Sequence, residues 1–129
     1  MRITVREAVN ADIPLLVGLY EAMEVEQIQR KPVWALTDGL DERFDLSLFR
    51  AMSDDDSWVL AGEIDDVIVG FLWATVEPIL SRAEDPRIGR IRLIYTEPDA
   101  RGVGVGHEML THALTHLRSL GITRFDAPV

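Results

Sequence analysis

The 129-residue sequence contains no cysteine, a single lysine and no long hydrophobic run. The absence of cysteine excludes a disulfide scaffold, a cysteine nucleophile and a thiolate metal site, and it is consistent with a reducing compartment. Lys31 is the only candidate for a Walker-type phosphate lysine or a Schiff-base lysine. The first 19 residues carry four charged side chains, so they lack the apolar region of a signal peptide. We therefore expect a cytoplasmic protein that does not enter a membrane.

Positive charge is also scarce. The chain has 22 acidic against 13 basic residues, which gives a net charge of -9. This balance excludes an extended cationic groove for nucleic acid, because phosphate binding requires a surplus of lysine and arginine. An acidic surface instead favours cationic small molecules. The apolar fraction of 47% and the charged fraction of 27% are typical of a globular protein, and the length predicts one domain over residues 1–129.

Two hydrophobic periodicities alternate along the chain. Apolar residues at every second position, as at Ile3 and Val5, indicate strands, whereas spacings of three and four, as from Leu15 to Met23, indicate helices. The pattern predicts five strands, over residues 2–8, 57–63, 67–77, 88–97 and 122–126. It predicts three helices, over residues 13–29, over a short stretch after Asp45 and from Val105 onward. Residues 31–44 and 78–87 are poorly patterned and are predicted to be irregular.

The residues between these elements predict how they connect. Asp12 is expected to cap the first helix, with Pro14 in its first turn, and Gly121 is expected to end the last helix. Asp65 and Asp66 form a tight turn between two strands, which predicts an antiparallel hairpin. The final β-α-β segment is long enough for a parallel crossover. The order β-α-α-β-β-β-α-β therefore predicts an α/β (α+β) fold with a mixed sheet.

The stretch from Tyr95 to Gly106 is the most informative part of the sequence. It joins a strand to a helix through a turn with glycines at positions 102, 104 and 106. Glycine permits unusual backbone angles and leaves no side chain between the amides and a ligand. Consecutive N–H groups at a helix N-terminus form a preformed anion site, so the turn predicts a phosphate or pyrophosphate cradle. A Walker loop is excluded because no Gly-Lys-Ser/Thr is present, and a Rossmann fingerprint fails at His107.

The spacing Arg101-x-x-Gly104-x-Gly106, with Pro98 three residues before the arginine, resembles the Q/R-x-x-G-x-G/A coenzyme A signature of the GNAT superfamily of N-acetyltransferases. The element order over residues 2–129 is also similar to that of the family. The resemblance implies the GNAT acyl-CoA N-acyltransferase fold, which is a mostly antiparallel sheet with one splayed parallel pair and flanking helices. The family normally continues through a further helix and two strands, which would follow Val129, so the resemblance implies a C-terminally incomplete domain.

The resemblance also implies where acetyl-CoA binds. In the family the cosubstrate lies between two splayed parallel strands, which correspond here to residues 88–97 and 122–126. The backbone of the first strand would bond the pantetheine arm and the glycine turn would hold the pyrophosphate. The implied cofactor-binding residues are Ile94, Tyr95, Thr96, Arg101, Gly102, Val103, Gly104, Val105, Gly106 and His107. The family transfers the acetyl group directly to an amine of a small molecule or protein, without an acyl-enzyme and without a metal.

The general base and general acid are left unassigned by the sequence. Where the family often has a carboxylate in the strand before the motif, this chain has Arg90 and Arg92. The tyrosine that usually protonates the thiolate lies, in the family, beyond the last residue of this chain. The remaining candidates for catalysis are Glu24, Glu26, Tyr95 and Glu97. Each glutamate could instead be a solvated surface acid, and Tyr95 could either contact the acetyl end or pack in the core.

Two alternatives to an active N-acetyltransferase follow from these gaps. The chain could be a CoA-binding module of the same fold that has lost catalysis. It could also be a subunit whose sheet is completed by a partner chain at the strand over residues 122–126, since an unpaired edge favours pairing. Members of the family are commonly dimers, so a homodimer is a further expectation from the resemblance.

Three other features each have two interpretations. Glu108, His112 and His116 share one helix face and could bind zinc, but we expect a polar solvent face and no metal site, because no further ligand cluster accompanies them. Trp58 and Trp73 are expected in the core. The irregular segment could line an acceptor pocket for a cationic amine, or its acids could simply keep a loop solvated; these residues are Trp34, Asp38, Asp41, Glu42 and Asp45.

Overall fold

The structure is a computed structural model that describes residues 1–30, 43–78 and 87–126. Its strands are β1 (Ile3–Glu7), β2 (Ser57–Ile64), β3 (Val67–Pro78), β4 (Arg87–Thr96) and β5 (Phe125–Asp126). The α-helices of the described residues are α1 (Ile13–Arg30), α2 (Phe44–Met52) and α3 (Val105–Ser119), with 3-10 turns at Asn10–Asp12 and Pro98–Ala100. This order confirms the predicted one. Trp34, Asp38, Asp41 and Glu42 lie outside the described residues.

The five strands form one sheet in the order β1-β2-β3-β4-β5. The first four pair antiparallel, and β5 pairs parallel to β4 through Gly89 with Phe125 and Arg90 with Asp126. The predicted hairpin and the predicted parallel crossover are therefore both confirmed. Among the described residues, this parallel pairing covers only the first half of β4, so Ile94–Thr96 form an edge beside which no described strand lies.

The helices cover opposite faces of the sheet. Helices α1 and α2 pack on the face that carries Phe71, Trp73 and Tyr95. Helix α3 packs on the other face, where Leu72 and Met109 are fully buried. Trp73 is buried as predicted, whereas Trp58 is half-buried and meets the His116 ring edge-on at 4.5 Å.

A β-bulge in β4 decides which side chains face α1. Trp73 pairs with Leu93 and the next residue of β3 pairs with Ile91, so Arg92 is an extra residue without a partner across the ladder. Because side chains alternate between the two faces of the sheet along a strand, the extra residue moves the side chains that follow it to the opposite face. Ile91 and Ile94 therefore pack with α3, while Tyr95 turns toward α1.

The end of α3 explains why β5 is shorter than the predicted strand over residues 122–126. Gly121 has a φ of +83° and its N–H donates to the Arg118 carbonyl, while the Ile122 N–H donates to the Leu117 carbonyl. These two bonds form a Schellman cap, which confirms that Gly121 ends the helix. Ile122 is fully buried against Leu117. Its backbone therefore belongs to the cap, and pairing with β4 starts three residues later.

The carboxylate of Asp12 bonds to residues that precede it in the chain. The prediction that Asp12 caps α1 is therefore wrong. Its Oδ2 accepts from the Val9 N–H at 2.8 Å and from Arg6 Nη1 at 2.7 Å, and its Oδ1 accepts from Arg6 Nη2 at 3.0 Å. The hydrogen bond from Arg6, ahead of the other contacts, lowers the pKa of the Asp12 carboxyl. Asp12 thus ties β1 to the start of α1 rather than capping the helix forward.

Asp12→Ala is expected to lower the free energy of unfolding by about 2 kcal/mol at neutral pH, because it removes a backbone cap and a bidentate ion pair. The lowered pKa means that this stability is present above the unfolded value of 3.8 and is lost as the pH falls through the folded value. Urea unfolding at neutral and acidic pH measures both effects. Asp55→Ala, in an exposed turn, is the control and should change stability by less than about 0.5 kcal/mol; an equal loss in both variants contradicts the prediction.

No helix in the described parts of the chain has the length and apolarity needed to traverse a lipid bilayer.

Candidate functional site

The glycine turn follows directly from the end of β4. The Glu97 N–H donates the last ladder bond to the Val69 carbonyl, and the 3-10 turn Pro98–Ala100 then redirects the chain. Gly102 and Gly104 have φ values of +84° and +104°, in the region that favours glycine. Two of the three glycines of the motif are therefore required by the backbone path itself.

Six consecutive amides in this turn have no hydrogen-bond acceptor among the residues that the structure describes. Within the described ranges 1–30, 43–78 and 87–126, no group accepts a hydrogen bond from the N–H of residues 102–107. The first bond of α3 runs from the Glu108 N–H to the Gly104 carbonyl at 3.0 Å. Six free N–H groups at the positive end of a helix dipole can bind an anion such as a diphosphate. We call residues 102–107 the amide cradle.

The cradle opens into a cleft of about 520 Å³ between α1, the end of β4 and the start of α3. Ile94 and Thr96 form its floor, and Met23 and Gln27 on α1 form the opposite wall. The cradle residues that line the cleft are Gly102, Gly104, Val105, Gly106 and His107.

Glu26, Arg101 and Tyr95 meet in the wall of this cleft. Arg101 Nη1 and Nη2 donate to Glu26 Oε1 and Oε2, both at 2.8 Å, and the Tyr95 hydroxyl donates to Oε2 at 3.2 Å. The guanidinium also lies 5.3 Å from the centre of the Tyr95 ring. The hydrogen bond with Glu26 is the main cause that raises the pKa of Arg101. Helix α1 is therefore joined to the residue that precedes the cradle.

The third nitrogen of Arg101 is also occupied. Arg101 Nε donates to the Thr96 carbonyl at 2.9 Å. Along an antiparallel strand, the N–H and C=O groups of successive residues point alternately toward the paired strand and away from it. The Glu97 N–H bonds to β3, so the carbonyl of the preceding residue, Thr96, points away from β3. By the same alternation the polar groups of Tyr95 point to β3, and those of Ile94 and Thr96 point to the open edge.

Three of the four predicted candidates for catalysis, Glu26, Tyr95 and Glu97, lie close together beside α1, and Glu24 does not join them. Glu26 and Tyr95 lie in the cleft, where the Glu26 carboxylate accepts hydrogen bonds from Arg101 and from the Tyr95 hydroxyl. Glu97 lines an adjoining apolar groove along α1, with Leu15 and Pro98, and Glu26 and Tyr95 line that groove as well. Glu24 lies on α1 outside the residues that line the cleft. The geometry therefore selects no general base among them.

Of the two interpretations of Tyr95, packing in the core is confirmed, and contact with the acetyl end stays a prediction. Its ring is 7% exposed and packs in the core with Phe71, while its hydroxyl reaches Glu26 in the cleft wall. Burial is the main cause that raises the pKa of the Tyr95 phenol, and the negative charge of Glu26 raises it further. Tyr95 thus joins the core to the site.

Glu26→Gln is expected to lower the pKa of Tyr95 toward the ordinary value of 10.0, because it removes a negative charge that opposes the phenolate. Titration by ultraviolet absorbance measures this, with Tyr95→Phe identifying the signal against Tyr20, the other tyrosine. Glu21→Gln, an exposed change on the same helix, should leave the titration unaltered. An unchanged curve in Glu26→Gln contradicts the hydrogen bond between Glu26 and Tyr95.

The predicted zinc alternative finds no support in the geometry. In the part of the chain that is described, no three His, Cys, Asp or Glu side chains are grouped so that they could hold a metal ion. Glu108 and His112 are exposed along α3, and His116 packs against Trp58.

Sequence reasoning missed the contact between Glu26 and Arg101, because 75 residues separate them and no spacing signals it.

Comparisons with known proteins agree with these observations. The model of the "Acetyltransferase (GNAT) family" matches residues 19–129. A mycothiol acetyltransferase from Amycolatopsis mediterranei is 36% identical over 74 residues, which are 57% of this chain and 24% of that protein. A second one, from Saccharomonospora viridis, is 33% identical over 70 residues, 54% of this chain and 23% of that protein. This chain therefore spans about a quarter of the length of these relatives.

Solved structures share the fold. An acetyltransferase from Vibrio fischeri has a TM-score of 0.80 at 22% identity, over 96% of this chain and 93% of that one. A protein from Clostridium acetobutylicum described as a predicted acetyltransferase, solved with acetyl-CoA, has a TM-score of 0.73 at 19% identity, over 99% of this chain and 81% of that one. At these identities the likeness establishes the fold, and the predicted mixed sheet with flanking helices is confirmed.

Proposed function

This chain belongs to the GNAT acetyltransferase family, and we propose that it transfers the acetyl group of acetyl-CoA directly to an amine. Residues 1–129 would act as a single domain in this reaction. The observation that carries the proposal is the run of six amides over residues 102–107 that have no acceptor within the described chain. The Clostridium acetobutylicum relative of the same fold, solved with acetyl-CoA, supports it.

The amide cradle would hold the diphosphate of CoA. Backbone N–H groups need no deprotonation and no rearrangement, so they offer the anion fixed donors at a helix N-terminus. Gly102 and Gly104 give the turn its left-handed angles, and at Gly106 an added Cβ would lie 3.7 Å from Thr96 Oγ1, which is ordinary contact. The amide of His107 is the last of the cradle, and its imidazole side chain could donate a further hydrogen bond.

The pantetheine arm would lie along the open edge of β4. The polar groups of Ile94 and Thr96 point to that edge, so the proposal assigns the arm's hydrogen bonds to these two residues and leaves the backbone of Tyr95 in the ladder with β3. The Thr96 carbonyl already accepts from Arg101 Nε, but a carbonyl has two lone pairs. This edge directs the arm from the cradle toward the middle of the sheet.

Acetyl-CoA supplies the activated thioester for the transfer. The amine must be neutral, and its attack forms a C–N bond while the C–S bond breaks, the attacking nitrogen loses a proton and the leaving thiolate takes one. A strand N–H at the edge, that of Ile94 or Thr96, would polarise the thioester carbonyl. The proposal assigns neither the base nor the acid to a described side chain, because Glu26 and Tyr95 are bonded to each other and to Arg101.

The acceptor is proposed as an amine of a small molecule or a protein. The net charge of -9 favours a cationic amine over an anionic one and disfavours nucleic acid. The relatives named mycothiol acetyltransferase are matched over about a quarter of their length, so we take acetyl transfer from them and no particular acceptor. A homodimer remains a proposal from the family resemblance.

Calorimetry with CoA and with pantetheine, followed by thiol release from acetyl-CoA across a panel of amines, tests the proposal. We expect CoA to bind, pantetheine to bind far more weakly because it lacks the diphosphate, and at least one amine to stimulate thiol release. Binding of CoA without turnover for any amine would favour a CoA-binding module. Equal binding of CoA and pantetheine would contradict the role of the amide cradle.

A further inference from the structure

We infer that Glu26 is a positioning residue that holds Arg101 as a strut behind the amide cradle, so that Arg101 is not itself a phosphate ligand. The expected effect on CoA binding rests on the proposed function. The geometry is independent of that function: a carboxylate on α1 anchors the residue immediately before the cradle.

The hydrogen bonds of Arg101 account for each of its three nitrogens. Nη1 and Nη2 each donate one hydrogen bond to Glu26 on α1, and Nε donates to the Thr96 carbonyl at the end of β4, so three of the five guanidinium N–H groups are bonded. A guanidinium held in this bidentate way is fixed in orientation as well as position. Arg101 therefore connects a helix and a strand to the turn, and all of its contacts lie on the side of α1 and β4.

Packing does little to hold the turn that follows. Among the described residues, a Cβ built on Gly102 would meet nothing within 4 Å, and one built on Gly104 would meet only Ile3 Cδ1, at 3.9 Å. Val103 between them is 40% exposed. Val105 is buried at the start of α3 and fixes the last amides of the cradle, so the anchored Arg101 is the main restraint on the first ones, those of residues 102–104. Loss of this anchor would widen the range of amide orientations. It would therefore weaken the binding of an anion that needs several of these amides at once.

The ion pair also sets the charge of the site. The ionisable side chains that line the cleft are Glu26, Tyr95, Arg101 and His107, and Glu26 neutralises Arg101. The diphosphate would then be bound by neutral amides and a helix dipole rather than by a free cation. If Arg101 were instead a phosphate ligand, Glu26 would compete with the diphosphate, and its removal would tighten binding. The sign of the effect of Glu26→Gln therefore separates the two roles.

The test compares CoA affinity in Glu26→Gln, Arg101→Gln, Arg101→Lys and the Glu26→Gln/Arg101→Gln double variant. We expect each single variant to weaken binding by about tenfold, and the double variant to be no worse than either, because both residues act through one contact. Arg101→Lys should lose affinity despite its positive charge, since lysine cannot make the fork. Glu21→Gln changes the net charge equally and should bind CoA like the unmodified protein.

Salt dependence and backbone order supply readouts that general destabilisation does not move. The unmodified protein should lose little affinity as salt rises, whereas Glu26→Gln should show a steeper decline because Arg101 becomes an unpaired cation. In the absence of CoA, NMR order parameters of the Gly102 and Gly104 amides should fall in Glu26→Gln, with the melting temperature checked for each variant.

The outcomes are separable. If the unmodified protein binds no CoA, the proposed function fails, and the order parameters alone then decide the inference about Glu26. If CoA binds and Glu26→Gln binds it as tightly or more tightly, or if Arg101→Lys retains full affinity, the strut is overturned. Unchanged order at Gly102 and Gly104 in Glu26→Gln overturns it as well.

Discussion

Gly104→Ala is expected to weaken CoA binding by about 100-fold. Gly104 has a φ of +104°, where an L-residue is strained, so the turn would relax by rotating the peptides on either side. Two amides of the cradle would then leave the diphosphate, and two charge-assisted hydrogen bonds together are worth about 3 kcal/mol, or two decades in affinity. Calorimetry with CoA measures the loss.

Gly121→Ala is the matched control for this variant. Gly121 has a φ of +83° at the other end of α3, and a Cβ there would meet nothing within 4 Å. It should lose about 1 kcal/mol of folding stability through the same kind of strain, yet bind CoA normally. Equal loss of CoA affinity in both variants would show that backbone strain in general, and not the orientation of the cradle, is responsible.

Gly70→Ala should lower the free energy of unfolding by about 3 kcal/mol, because it overpacks a site that cannot relax. A Cβ at this position would lie 2.7 Å from the Tyr95 carbonyl oxygen and 3.1 Å from Met109 Cε. The methionine could move, but the carbonyl belongs to the ladder between β3 and β4. The substitution therefore forces the two strands apart just before the glycine turn, and urea unfolding measures the cost.

Gly18→Ala is the comparison for that prediction. Gly18 lies within α1 and has nothing within 4 Å of an added Cβ. Alanine there should raise stability by about 0.5–1 kcal/mol, since it lowers the entropy of the unfolded chain and favours the helix. If Gly70→Ala is as stable as Gly18→Ala, the close approach of β3 and β4 at Tyr95 is wrong.

Much of the fold could be predicted from the sequence because its signals are local. Alternation at Ile3 and Val5, helical spacing in α1 and α3, and Gly121 as a helix end each depend on residues close together in the chain. The glycine turn could be found for the same reason. Its positive φ angles at Gly102 and Gly104 are the physical requirement that the glycine pattern signals.

The features that sequence reasoning missed depend on partners far apart in the chain. The bulge at Arg92 arises from the register between β3 and β4, which no spacing within β4 reveals. The pairing of Glu26 with Arg101 joins α1 to the turn across 75 residues. Asp12 was expected to cap the start of α1, but its carboxylate instead accepts hydrogen bonds from Arg6 on β1. In each case tertiary contact determined the outcome.

The central claim is that the free amides of residues 102–107 bind the diphosphate of CoA. Titrating the ¹⁵N-labelled protein with CoA and following each backbone amide by NMR tests this claim at the atoms concerned. We predict large, saturable shifts at Gly102, Gly104 and Gly106, and smaller shifts with pantetheine, which has no diphosphate. Saturation by CoA with these three amides unmoved and the shifts located elsewhere would contradict it.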